Sequence, residues 1–121
     1  MSIIGVGLDL LEIFRMEDKL NNPTFMKRVY TDAELTYVAS RGAFSASSAA
    51  GIFCAKEAFI KAVGDGLSLP LNEIEVCRDR RGKPFLNFHG VVGERFSDIK
   101  TDLSITHTKT TAAAVVVLSD K

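Results

Sequence analysis

FCAKEAFIKAVGDG, residues 53–66, decides how the chain folds. It reads as the second half of a long, mostly apolar helix that also carries Lys56, Glu57 and Lys61. A helix that is apolar nearly all round belongs in a core. At about 100° per residue, Ile52, Ala55, Phe59, Ala62 and Val63 fall on one face. Glu57, Lys61 and Asp65 follow one another at helical spacing on roughly the opposite face. Taken alone, that stripe is a solvated edge with ion pairs worth about 0.2–0.5 kcal/mol each. Phe53, Cys54 and Ile60 flank it, so the edge is narrow. Lys56 sits nearer the apolar side and must snorkel or find a partner. The sequence leaves the roles of Lys56 and Asp65 open.

Working outward, the helix is predicted to start between Ser45 and Ser48 and to stop at Gly64 and Gly66, with Gly64 as the residue just past its end. Upstream, Ile3 to Ile13 is apolar and β-branched, which predicts a strand. Gly5 and Gly7 inside it predict close approach by another backbone or a ligand. Residues 15–29 predict one or two short helices around Pro23. Thr31-Asp32-Ala33-Glu34 has the capping-box pattern, so a helix should run to about Ser40. Arg41 to Ser45 is a connection.

Downstream, Leu67 to Leu71 reads as a loop, and Glu73 to Arg78 alternates polar and apolar, predicting a half-buried strand. Asp79 to Lys83 is a turn and Pro84 to Phe88 a returning strand, which makes a hairpin. Gly90 to Ile99 suggests a short helix. Leu103 to Thr106 and Ala112 to Leu118 predict two more strands. The expected class is α+β: an antiparallel sheet packed around one long central helix, in one domain spanning residues 1–121.

The composition excludes several classes. Apolar residues are 46% and charged residues 25%, with Lys plus Arg and Asp plus Glu balanced at 15 each. A neutral chain offers no broad electrostatic attraction to nucleic acid or membrane. No apolar run reaches the roughly 18 residues of a membrane span. The start, MSIIGVGLDLLEI, does not read as a signal peptide, so a cytoplasmic protein is expected. Cys54 and Cys77 are too few for a disulfide framework, and Cys54 is expected to be a buried reduced thiol.

Three places carry candidate chemistry. Asp9 lies in an otherwise apolar strand, where a carboxylate is depleted and costly to bury. It is either a buried hydrogen-bond acceptor or a metal ligand. Two carboxylates from separate elements suit Mg²⁺, with substrate oxygens and waters completing the shell. The Glu57–Lys61 stripe is the second place. The third is Ser104-Ile105-Thr106-His107-Thr108, where His107 is either a surface residue in a Thr-rich turn or a group for phosphate contact or proton transfer. Arg80, Arg81 and Lys83 make a basic turn, and Arg15, Lys19, Lys27 and Arg28 a loose basic cluster. Gly5-Val6-Gly7 does not lead into a glycine-rich turn and helix, so a dinucleotide fold is poorly supported.

These pieces in this order resemble the holo-acyl-carrier-protein synthases, the small bacterial 4′-phosphopantetheinyl transferases. The resemblance covers nearly the whole chain and rests on GVGLDLLEI, FCAKEAFIKAVGDG, RGKP and SITHTKTTAAAVVV. It implies transfer of the phosphopantetheine arm of coenzyme A to a serine of apo acyl carrier protein, in fatty acid biosynthesis. It implies that Asp9 and Glu57 hold Mg²⁺ and that Lys61 meets the coenzyme A phosphates. His107 and Thr108 would lie in the coenzyme site, as would Gly64 and the segment Gly82-Lys83-Pro84. Arg15 would contact the acidic carrier. Asp9, Glu57, Lys61 and His107 are then the expected catalytic set, in a homotrimer with sites between subunits. The rival readings are a non-enzymatic module for an anionic partner such as RNA, and a purely structural trimer. An aromatic content of 8% with no Trp argues against a base-stacking surface.

Overall fold

The long helix and a three-stranded antiparallel sheet build the molecule around each other. The computed structural model describes residues 1–64 and 68–121. In chain order the elements are β1 (Ile3–Glu12), α1 (Phe14–Lys19), α2 (Pro23–Val29), α3 (Asp32–Ala39), α4 (Ser45–Val63), β2 (Ile74–Arg78), β3 (Pro84–Phe88), α5 (Gly90–Arg95), β4 (Ile99–His107) and β5 (Thr111–Asp120). The main sheet has the order β1-β5-β4, and β2 and β3 form a separate hairpin. The α+β class expected from the sequence is the one observed. Asp65, Gly66 and Leu67 lie outside the described residues, so the expectations placed on them stay there. Among the described residues no helix is long and apolar enough to cross a membrane.

Local sequence chemistry accounts for most of the boundaries. Asn22 accepts the Phe25 backbone N–H at 3.1 Å, and Pro23 fills the first helical turn of α2. The capping box of α3 forms as expected: Thr31 Oγ1 accepts the Glu34 N–H, and the Glu34 carboxylate accepts the Thr31 N–H. Gly64 ends α4 at φ 83°, a left-handed conformation that side chains disfavour. The hairpin turn is closed by Asp79, whose Oδ1 accepts the N–H groups of Arg81 and Lys83.

Two expectations need adjusting. The helix predicted at residues 90–99 is only α5, because Ile99 already begins β4 and pairs with Asp120. Strand β2 is not half-buried: Ile74, Glu75 and Val76 are all buried. The alternation is real, but the polar residue on the second face is covered as well.

The core lies between α4 and the sheet. Ala49, Ala50, Ala55, Ala58 and Phe59 of α4 are fully buried, as are Ala112 and Val116 of β5. Small residues on both surfaces let the layers approach closely. Phe59 then fills the far end, with its ring centroid 4.7 Å from Phe88 and 5.1 Å from Phe96. Burying such a ring contributes about 1.5–3 kcal/mol. The helix crosses the sheet obliquely. Its Gly51 packs on Ile105 of β4, while Ala58 and Ala62 lie over Gly7 and Gly5 of β1. The close approach expected at those two glycines is therefore made by the backbone of α4.

Candidate active site

That crossing brings the charged stripe of α4 to the outer edge of β1. Asp9 is on the same face of β1 as Gly5 and Gly7, two and four residues along a period-2 strand. Lys61 Nζ donates to Asp9 Oδ1 at 3.0 Å and to the Leu8 carbonyl at 3.2 Å. Lys61 thus pairs across the strand with Asp9 rather than along the helix with Glu57. The Asp9 side chain is 15% exposed and that of Lys61 55%. The contact is a surface cation meeting a largely covered carboxylate. Its hydrogen bond to Asp9 and the Asp9 charge raise the Lys61 ammonium above its ordinary value.

Glu57 completes the group. It is half-buried, and burial pushes its carboxyl up, with the Asp9 charge adding to the rise and Lys61 opposing it. Asp9, Glu57 and Lys61 are therefore one electrostatically linked set. Glu57 also lines a cavity of about 730 Å³ walled by Phe25, Val29, Phe53 and Leu71, with Arg28 beside it. Cys54 lies beneath, fully buried. Burial, the Asp9 charge and a hydrogen bond with Asp9 push its thiol up to about 12. This is the inert reduced thiol expected from its place on the helix.

The other predicted residues lie elsewhere in the chain. His107 ends β4, and β5 stands between it and β1, so it is at least roughly 10 Å from Asp9 by strand spacing. With Thr108 it borders a separate cavity of about 460 Å³, against Phe44 and Ser47. Gly82, Lys83 and Pro84 sit at the tip of the β2–β3 hairpin, with Gly82 at φ 83°. Arg15, on α1, is exposed and lies 3.8 Å from Glu12. One chain therefore groups Asp9, Glu57 and Lys61, and leaves His107 and the hairpin tip apart from them.

Sequence reasoning missed the polar interior behind Glu57. Lys56 is fully buried, and its Nζ donates to Glu34 Oε1 and the Val29 carbonyl at 2.6 Å each and to the Leu71 carbonyl at 2.9 Å. Burial pushes the Lys56 ammonium down, and Glu34 holds it back up. Glu34 Oε2 in turn accepts the Val76 N–H at 2.7 Å. The capping box pointed to Glu34 as a local cap; nothing local pointed to its partner 22 residues away. Glu75 is the second surprise. It accepts from Thr31 Oγ1 at 2.6 Å and lies 2.9 Å from His89 Nε2. Burial pushes its carboxyl up, but hydrogen bonds from Thr31, His89, Cys77 and Asn87 outweigh it and hold the group at about 2.

Comparison with known proteins finds matches over nearly all of the chain's length. The family model of the 4′-phosphopantetheinyl transferase superfamily matches residues 5–116. The chain belongs to that superfamily. The holo-[acyl-carrier-protein] synthase of Treponema denticola is 42% identical over 120 residues, covering 96% of this chain and 98% of that one. The holo-(acyl-carrier-protein) synthase of Bacillus anthracis, solved in complex with coenzyme A (3′,5′-ADP), superposes with a TM-score of 0.85 at 36% identity over 100% of both chains. The holo-[acyl-carrier-protein] synthase of Neisseria meningitidis gives a TM-score of 0.88 at 28% identity, covering 98% of this chain and 100% of that one.

Proposed function

We propose that this chain is a holo-[acyl-carrier-protein] synthase. It transfers the 4′-phosphopantetheine group of coenzyme A to a serine of apo acyl carrier protein and releases adenosine 3′,5′-bisphosphate, preparing the carrier for fatty acid biosynthesis in the cytoplasm. The observation that carries the reading is the grouping of Asp9, Glu57 and Lys61 at the edge of β1. Two acidic groups and an exposed cation are the types that phosphate transfer uses.

The donor set fits a hard divalent cation. Burial pushes Glu57 up and the Asp9 charge adds to the rise; a cation between the two carboxylates would offset both. Among the described residues no group of three metal-ligating side chains forms, so a metal here would keep positions for water and substrate oxygens. Asp9 and Glu57 would hold Mg²⁺. Magnesium, when bound, neutralises pyrophosphate oxygens.

In the transfer, the carrier serine Oγ forms a bond to the β-phosphorus of coenzyme A. The bond from that phosphorus to the bridging oxygen breaks, and the oxygen leaves with the bisphosphate. Glu57, or a water molecule held beside it, takes the serine proton. Lys61 swings from Asp9 to the leaving phosphate, as its exposure allows. His107, Thr108, Gly64, Gly82, Lys83 and Pro84 border the coenzyme, and Arg15 meets the acidic carrier.

A homotrimer would reunite the separated halves of the site. In support, β1 carries Ile4, Val6, Leu8 and Leu10 at 54%, 61%, 63% and 69% exposure. The register sets Val6 against Val117 and Leu8 against Val115, so the apolar row extends onto β5. A lone soluble chain rarely leaves such a face bare. Sedimentation is expected to give about three times the 13.2 kDa chain mass. Val6→Lys should shift it toward the single-chain mass; a wild-type monomer would sink the trimer.

The test of function is the intact mass of apo acyl carrier protein after incubation with this protein, coenzyme A and Mg²⁺. Gain of one phosphopantetheine arm is expected. An unchanged carrier mass, together with salt-sensitive RNA binding, would favour the binding-module reading instead.

A further inference from the structure

Lys56 and Glu57 are neighbours on α4, yet they face different surroundings. Glu57 faces the 730 Å³ cavity, and Lys56 is sealed behind it. An ammonium has three protons to donate. Here they meet three acceptors: the Val29 carbonyl, Glu34 Oε1 and the Leu71 carbonyl. Val29 and Leu71 are both cavity walls. Val29 ends α2, and Leu71 opens the short turn before β2. The α2 segment is separated from α4 by α3, whereas the Leu71 turn is the next element after α4 in the chain. Glu34 extends the connection, since its other oxygen holds the Val76 N–H of β2.

Stability is a weak explanation for this arrangement. Replacing a buried ion pair by well-packed apolar side chains is often neutral or favourable. An apolar residue at position 56 would fill the space, but it could not fix two backbone carbonyls at once. We propose that Lys56 is a positioning residue for the transfer reaction: its ammonium ties both walls of the Glu57 cavity, at Val29 and Leu71, to the helix that carries Glu57. This rests on the transferase reading above. Lys56 itself touches no substrate; it acts through the walls it holds.

The test is steady-state loading of apo carrier by Lys56→Met, run well below the unfolding midpoint of the variant. Each substrate is titrated against a saturating level of the other. KM for the substrate that enters the cavity is expected to rise about tenfold or more, with kcat nearly unchanged. Glu34→Gln, which is isosteric, should move the same KM in the same direction by less, and it carries the test if Lys56→Met does not fold. Unchanged KM values for both substrates, or a loss confined to kcat, would overturn the proposal.

Hydrogen exchange reads the same device without substrate. The amides of Tyr30, Glu73 and Val76 should exchange about tenfold faster in Lys56→Met, while residues 113–118 of β5 hold their protection. A uniform rise along the chain would mean general loosening and would overturn it. A wild-type protein that loads no carrier would sink the transferase reading and the kinetic half of the proposal. The exchange result would still decide whether Lys56 fixes the walls.

Discussion

Gly7→Ala is expected to cost about 3 kcal/mol or more, at the upper end of what one added methyl does to a packed interior. A Cβ at Gly7 would lie 1.8 Å from the Ala58 carbonyl oxygen and 2.6 Å from the Ala62 nitrogen. Those two atoms bond to each other in the ladder of α4, so the methyl would intrude on a helical hydrogen bond. Neither partner is a flexible side-chain tip. The helix would have to lift off β1, and lifting it also pulls Glu57 and Lys61 away from Asp9. Activity should therefore fall even where the variant remains folded. Gly42→Ala is the control. Gly42 has φ 58° and open space around its Cβ position, so only backbone conformation is at stake, about 1–2 kcal/mol. Urea unfolding of the two variants separates contact from conformation. Equal losses would mean that α4 and β1 do not meet as described.

Glu57→Ala and Asp9→Ala should each lower loading of the carrier by about a hundredfold or more, with saturating Mg²⁺ failing to restore it. The two substitutions are not equivalent. Glu57→Ala removes a half-buried carboxyl from a cavity wall and leaves the Asp9–Lys61 pair in place. Asp9→Ala removes a mostly covered carboxylate and releases Lys61 as well. Its thermal midpoint should change little, because an ion pair with one partner so exposed contributes on the order of 0–1 kcal/mol. Quenched loading reactions read by intact mass would measure both. Near-normal turnover in both variants would remove the carboxylates from the chemistry and with them the metal assignment.

How much of this was legible depended on the range of the interaction. The α3 cap, the short helical structure around Pro23, the hairpin turn at Asp79 and the stop at Gly64 all rest on contacts within a few residues, and each was readable. The Gly5–Gly7 approach was readable as a need for space, though the sequence did not say that α4 fills it. Asp9 was marked by being out of place in a strand. Its pairing with Lys61 was not marked, because helical periodicity offered Lys61 a nearer partner in Glu57. Lys56 was flagged as uncomfortable, but its acceptors come from α2, α3 and the turn before β2. No periodic pattern encodes such a meeting. Glu75 looked solvated for the same reason: alternation reports two faces of a strand and does not say whether the second is covered.

Cys54 gives the molecule an internal clock. Its thiol is sealed between α4 and β5 within reach of the Ala112 carbonyl, and it is held almost wholly protonated near neutrality. Only the thiolate reacts with alkylating reagents. Modification at this position therefore has to wait for α4 to part from the sheet, the same motion that would dismantle the Asp9–Glu57–Lys61 group. When alkylation outpaces reclosing, the rate at which Cys54 is captured times the parting of that group.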